Sequence, residues 1–202
     1  MMTSLVRSLP RQLSHGFYEA GHMMYPGGEV MPTIDRPDPS EYGAYYRKYV
    51  DLVPGGNILE ILLDQIEPTL ALVGLREEET LARYAPGKWN TREILGHLID
   101  TERIFAYRAL RIARGDKTPL PGFEQDDYVK AAGFSDRMFA SLLDEFHVVR
   151  QGTVALFKGL PAEAVTRTGT ANDNPVSVRA IAWIVAGHER HHMKIVRENY
   201  VK

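Results

Sequence analysis

His188 and His192 lie on one helical stripe with Ile181, Ile184, Val185 and Ile195, positions that recur at the spacing of a single helix face. Four residues turn an α-helix through about 400°, so the two rings stand about 40° apart and one turn above the other. Both can reach one ion. Two polar rings in an apolar stripe need partners that isoleucine and valine cannot supply; a metal satisfies both, whereas a lone histidine is more often a satisfied core residue. His97, set among Leu95, Leu98 and Ile99, would bring a third nitrogen from another helix. Three nitrogens leave positions open for water and substrate, the donor count of catalytic sites. His191 falls about 60° to the other side of His188 and reads as a substitute ligand or a rim group.

Residues 188 to 192 also spell the H-E-x-x-H pattern of zinc metalloproteases, in which the glutamate activates a metal-bound water. A metzincin continuation would need glycine at Ile195 and histidine at Glu198, so the downstream ligand is missing. Glu189 is turned about 100° from His188 and suits a solvated or salt-bridged face. Peptide cleavage is therefore not expected.

The elements that must carry these side chains are helical. Pro54-Gly55-Gly56 breaks the chain before Ile58, Ile61, Leu62, Ile66, Leu70 and Val73, which keep helical spacing, and Pro68 within that run predicts a kink near Asp64 to Glu67. Asn90 and Glu93 form a capping signal for a helix to about Gly115. Asp116 to Gly133 reads as a long connection of the kind that covers a site. Ser135 is expected to open the next helix, ending near Gly159, and a polar loop from Thr166 to Pro175 leads to a last helix capped by Ser177. Ser40 is expected to cap a short helix carrying Tyr42, Tyr45, Tyr46 and Tyr49 as packing surface. Strand-like alternation of useful length is missing. The sum is an all-α four-helix bundle over residues 41–202, with a short N-terminal helix and an irregular extension over 1–40. In that extension Arg7 and Arg11 precede the first acid, Glu19, which leaves a transit peptide as the alternative.

Composition narrows the chemistry. The 202 residues include 24 Lys and Arg against 26 Asp and Glu, a net charge of -2, so no excess of positive charge favours nucleic acid or an anionic membrane. With no cysteine among the 202, a metal site must use imidazole and carboxylate. No run of about 18 apolar residues marks a membrane span, and the expected location is the cytoplasm.

The stretches Lys88-Trp89-Asn90 to Gly96-His97-Leu98-Ile99-Asp100, and Gly187-His188-Glu189 to His192, resemble the DinB-like superfamily, which includes YfiT-like metal hydrolases and bacillithiol and mycothiol S-transferases. The resemblance covers about Ile58 to Tyr200. It implies an up-down-down-up four-helix bundle, metal ligands at His97, His188 and His192, and zinc or nickel as the ion. Some thiol-dependent members carry glutamate where this chain has His188, so the likeness is to the three-histidine group.

Two reactions follow as expectations: transfer of a low-molecular-weight thiol cosubstrate to a small electrophile, which the resemblance favours, and hydrolysis by a metal-bound hydroxide. A non-catalytic metal or small-molecule binding module is the third. Asp100 is a candidate to orient a ligand, with Glu102 less well placed and an exposed acid the equal alternative. Trp89, Arg108, Phe123, Asp126, Asp127 and Tyr128 are candidates to contact a small-molecule substrate. The tyrosine stripe further suggests a homodimer.

Overall fold

Side-chain caps set where the site-bearing helices begin. The Asn90 side chain accepts the Glu93 backbone N–H at 2.9 Å while the Glu93 carboxylate accepts the Asn90 N–H at 2.8 Å, and this reciprocal box opens α5 (Thr91–Ala113). Ser177 Oγ accepts the Ala180 N–H at 3.0 Å and opens α8 (Val178–Asn199). The computed structural model describes residues 31–201 and the backbone of two short paired strands, β1 (Tyr18–Glu19) and β2 (His22–Met23).

The helical unit spans Thr33–Lys202. It begins ahead of position 41, because Ile34 is already buried in it; most of the stretch expected as irregular, with Arg7 and Arg11, lies outside the described residues. Short helix α1 (Arg47–Val50) follows a 3-10 turn at Ala44–Tyr46, and α4 (Glu77–Leu81) precedes α5. The first bundle segment is broken, as α2 (Ile58–Asp64) and α3 (Ile66–Leu70) meet at Gln65. Pro68 has no N–H for the Asp64 carbonyl and its ring crowds that oxygen, which is why the break falls there.

With α7 (Phe139–Lys158), the α2–α3 segment, α5 and α8 make an up-down-down-up bundle. Both α2 and α5 pack against α7 and α8, so the first and second bundle segments lie across one diagonal and the third and fourth across the other, while the consecutive pair α5 and α7 packs side by side. A chain with parallel α5 and α7 needs a long return. That return is not the open loop expected: it holds α6 (Gln125–Ala132), closed by Gly133 in the left-handed region at φ 64°. Ser135 sits in a 3-10 turn and α7 starts after Met138. The Ser135 hydroxyl instead accepts from Asn90 Nδ2 at 2.9 Å. Likewise Asp38, not Ser40, caps the first turn, taking both the Ser40 N–H and hydroxyl on one oxygen at 2.9 and 2.7 Å.

The polar loop before α8 is a hairpin of β3 (Thr168–Ala171) and β4 (Asn174–Ser177). Asn172 and Asp173, at φ 49° and 59°, form its two-residue turn, the backbone that a tight hairpin requires. Leu120 donates to Thr170 O and accepts from Asn172 N–H, both at 2.9 Å, so the hairpin pins the start of the return. One core cluster joins Leu95, Ile99, Phe139, Leu142, Phe146 and Val196 from α5, α7 and α8. Gly187 permits the closest approach: a Cβ there would lie 2.0 Å from the Tyr49 carbonyl oxygen, so α1 rests backbone to backbone on α8. No helix among the described residues is long and apolar enough to cross a membrane.

Candidate metal centre

Helix α8 is buried on all sides from Ala180 to Glu189, so side chains at every angle on it meet protein. His188 is 7% exposed and His97 on α5 is 3% exposed. Their Nε2 atoms are 3.0 Å apart, and His192 Nε2 is 3.1 Å from His188 Nε2. The ligand atoms of the three rings all lie within 4.8 Å of one another.

Hydrogen bonding alone does not account for this convergence. A neutral ring nitrogen either carries one proton or offers one lone pair, so His188 Nε2 can serve only one of its two neighbours. Burial depresses all three pKa values: His97 to about 4, His192 to about 3, and His188 well below the usual range, with its neighbours adding to the effect. At neutral pH the rings are uncharged and their lone pairs available. Tetrahedral coordination with metal–nitrogen distances of about 2.0–2.1 Å puts ligand nitrogens roughly 3.3 Å apart. The residues present fit such an ion.

The surroundings hold the rings in place. Thr101 Oγ1 lies 3.3 Å from His97 Nδ1; a proton on Nδ1 donated to that oxygen leaves Nε2 free to ligate. The Trp89 ring lies 4.8 Å from His97 and stacks 6.3 Å from His192. Tyr49 places its ring edge-on to His188 at 5.2 Å and to His191 at 5.4 Å. His191, half-buried, sits beside the triad and not within it.

Two cavities of about 300 Å³ flank the triad. One reaches His97 and His188 between Tyr46, Phe105, Arg108 and Phe123, and the other reaches His192 past Trp89 and Tyr200; Asp126 lines both. Tyr128 is exposed, its ring against Phe123 at 5.1 Å, and lines neither. Asp127 is exposed as well. Asp100 stands 3.8 Å from Arg103, and no contact joins it to a ring of the triad.

Glu189 is not on a solvated face. It is 1% exposed and accepts from Gln65 Nε2 at 2.8 Å and Thr69 Oγ1 at 2.6 Å, with Arg150 Nη1 at 2.7 Å. Arg150, wholly buried, also binds Glu102 through Nε and Nη2 at 2.8 and 2.9 Å and donates to Leu62 O at 2.9 Å. This ionic hub joins α2, α3, α5, α7 and α8. The sequence reading missed it, and missed Thr101 and Phe105, although these continue the His97 face at i+4 and i+8. It also read the tyrosine stripe as packing and dimer surface, not as part of the site. Tyr42 and Tyr49 are buried, but Tyr45, Tyr46 and Tyr49 line a cavity wall.

A helical bundle whose inward imidazoles converge beside two small cavities defines a class of small bundle proteins built around one candidate metal site. The sequence matches the DinB superfamily over residues 63–196, and the chain belongs to that superfamily. It is similar in structure to YfiT from Bacillus subtilis, described as a probable metal-dependent hydrolase with an unusual four-helix bundle topology. The two share 16% identity at a TM-score of 0.60, over 87% of this chain and 94% of that chain. No curated protein matches.

Proposed function

We propose that the protein is a metal-dependent enzyme that holds one zinc or nickel ion on His97, His188 and His192 and transfers a low-molecular-weight thiol to a small electrophile in the cytoplasm. The observation that carries this reading is the convergence of three neutral, buried Nε2 atoms at the meeting point of two cavities. A bound divalent ion would supply Lewis acidity and keep a thiol deprotonated below its usual pKa of about 8.5.

The chain's own residues do the rest. Thr101 holds the His97 ring and its tautomer, while Trp89 and Tyr49 fix the ring planes from either side. Phe105 and Tyr46, edge to face at 5.9 Å, give one cavity an apolar wall that excludes water from a reacting thiol. Volumes of about 300 Å³ suit small molecules better than an extended peptide. Two cavities accommodate two reactants. Since the chain lacks cysteine, the nucleophilic sulfur comes from a cosubstrate.

Hydrolysis is the second reading, favoured by Asp126, which lines both cavities and whose carboxylate could accept a proton from water. A homodimer belongs to the proposal too, resting on exposed Tyr45, Met138 and Val148 and no longer on the whole tyrosine stripe.

The test begins with metal analysis of protein purified without chelator. Close to one divalent ion per chain is expected, with most of it lost in His188→Ala and in His192→Ala. Metal-loaded protein is then assayed with a panel of thiols against a chlorinated aromatic, beside ester and casein substrates. Full metal content in both variants would remove the site; ester hydrolysis without thiol consumption would replace transfer by hydrolysis.

A further inference from the structure

Among the described residues three arginines are buried, namely Arg92, Arg108 and Arg150. Two have carboxylate partners: Arg92 pairs with Glu77, and Arg150 with Glu102 and Glu189. Arg108, 3% exposed, has none among the described residues. Its Nη2 donates to the Pro121 carbonyl at 2.6 Å, and its guanidinium lies 5.4 Å from the Phe105 ring and 5.9 Å from the Phe123 ring. A carbonyl, the Tyr46 hydroxyl and two rings orient the cation without neutralising it. Burying a charge without a counter-ion is unfavourable, and a guanidinium offers five donors, in pairs suited to a planar carboxylate.

The position of this charge is specific. Arg108 lines the same cavity as His97 and His188. On α5 the series His97, Thr101, Phe105, Arg108 follows one face, and eleven residues of rise separate the first α-carbon from the last by about 16 Å. Side chains on a helix lean toward its N-terminus, and the arginine is the longer of the two, so the charged group comes within on the order of 10 Å of the triad. Asn172 and Asn174, carried in by the hairpin, border the same space.

We infer that Arg108 is the anion-binding end of the substrate cavity, and that the molecule reacting at the triad carries a carboxylate that pairs with Arg108. This rests on the proposed thiol-transfer site for the reacting end, but the carboxylate contact itself does not depend on which reaction occurs. The carboxylate belongs either to the thiol or to the electrophile.

Calorimetry of metal-loaded protein separates these cases without requiring turnover. The probes are 6-mercaptohexanoate with 6-mercaptohexanol, which tests a carboxylate on the thiol, and 3-phenylpropionate with 3-phenylpropanol, titrated with 2-mercaptoethanol present, which tests one on the electrophile. In at least one pair the acid is expected to bind about tenfold or more tightly than the alcohol, the range of a charge-assisted hydrogen bond. Arg108→Met should abolish that preference and Arg108→Lys retain part of it, with helicity by circular dichroism confirming the fold; if Arg108→Met does not fold, Arg108→Gln takes its place. Equal binding of acid and alcohol in both pairs, or a preference unchanged in the variant, overturns the assignment. If neither mercaptan binds the wild type, thiol transfer fails, and the phenylpropionate pair titrated alone still decides for or against Arg108.

Discussion

Replacing Arg150 by methionine removes the cation that pairs with two carboxylates in the bundle interior. Glu102 is 4% exposed and Glu189 1%, so neither can recover the lost interaction from water, and the Leu62 carbonyl also loses a donor. Breaking a buried pair from one side costs about 3–5 kcal/mol. For a chain of this size each kcal/mol lowers the melting temperature by about 2–4 °C, so a fall of roughly 6–20 °C is expected. The assays are thermal and urea unfolding, both followed by ellipticity at 222 nm. A second variant, Glu102→Gln/Arg150→Met/Glu189→Gln, should recover most of the loss, because the amide at 189 can accept from Gln65 through its oxygen and donate to the Thr69 hydroxyl through its nitrogen, while no net charge remains buried. A single variant within about 1 kcal/mol of the parent, or a triple variant no better than the single, would refute the view of the hub as a clamp held by its central cation.

Thr101→Val keeps the side-chain volume but removes the oxygen beside His97 Nδ1; metal affinity by chelator competition should fall about 10- to 100-fold, and unchanged affinity would remove Thr101 from the site. Arg179 binds the Glu41 carboxylate and holds its pKa down to about 2, from an ordinary 4.5. Stability from this pair is therefore present above about pH 4.5 and is lost as pH falls toward 2, so the urea midpoint of Glu41→Gln should change less between pH 5 and pH 2.5 than that of the parent. Light scattering at tens of micromolar should give twice the chain mass; a monomer mass would remove the homodimer from the proposal.

Much of this arrangement was legible because it is written in local spacing. The i, i+4 histidine pair, the Asn90–Glu93 box and Pro68 each act within one or two helical turns, and the structure shows each box, break and juxtaposition where the residues imply it. What could not be read depends on partners far apart in sequence. Glu189 has the helical angle of a surface residue, yet α8 runs through the bundle centre and Arg150, 39 positions away by subtraction, meets it there. The β3–β4 hairpin escaped because four-residue strands containing Gly169 and Pro175 carry no apolar alternation, and only the Asn172-Asp173 turn hinted at it. Helix α6 escaped because its eight residues bury only Val129. Arg108 was chosen for its neighbourhood, and nothing in its local sequence tells that it lacks a carboxylate partner.

The backbone contact between Gly187 and Tyr49 has a dynamic consequence. A four-residue helix such as α1 would not persist alone, since nucleation is unfavourable and so few bonds follow it. The two amides that follow it nonetheless bond back to its carbonyls, Asp51 N–H to Arg47 O at 2.9 Å and Leu52 N–H to Tyr49 O at 3.0 Å. The Tyr49 carbonyl that receives the second of these is itself seated on α8, where not even a methyl group fits between the chains. The acceptor is thereby held in place, so opening of the Leu52 bond is expected to follow movement of α1 away from α8, which also uncovers His188. In native-state hydrogen exchange the Leu52 amide should open with nearly the free energy of global unfolding, far slower than amides of the exposed α4 turn. Slow exchange just beyond the four-residue helix would mark the place where the tyrosine wall and the histidine behind it move as one body.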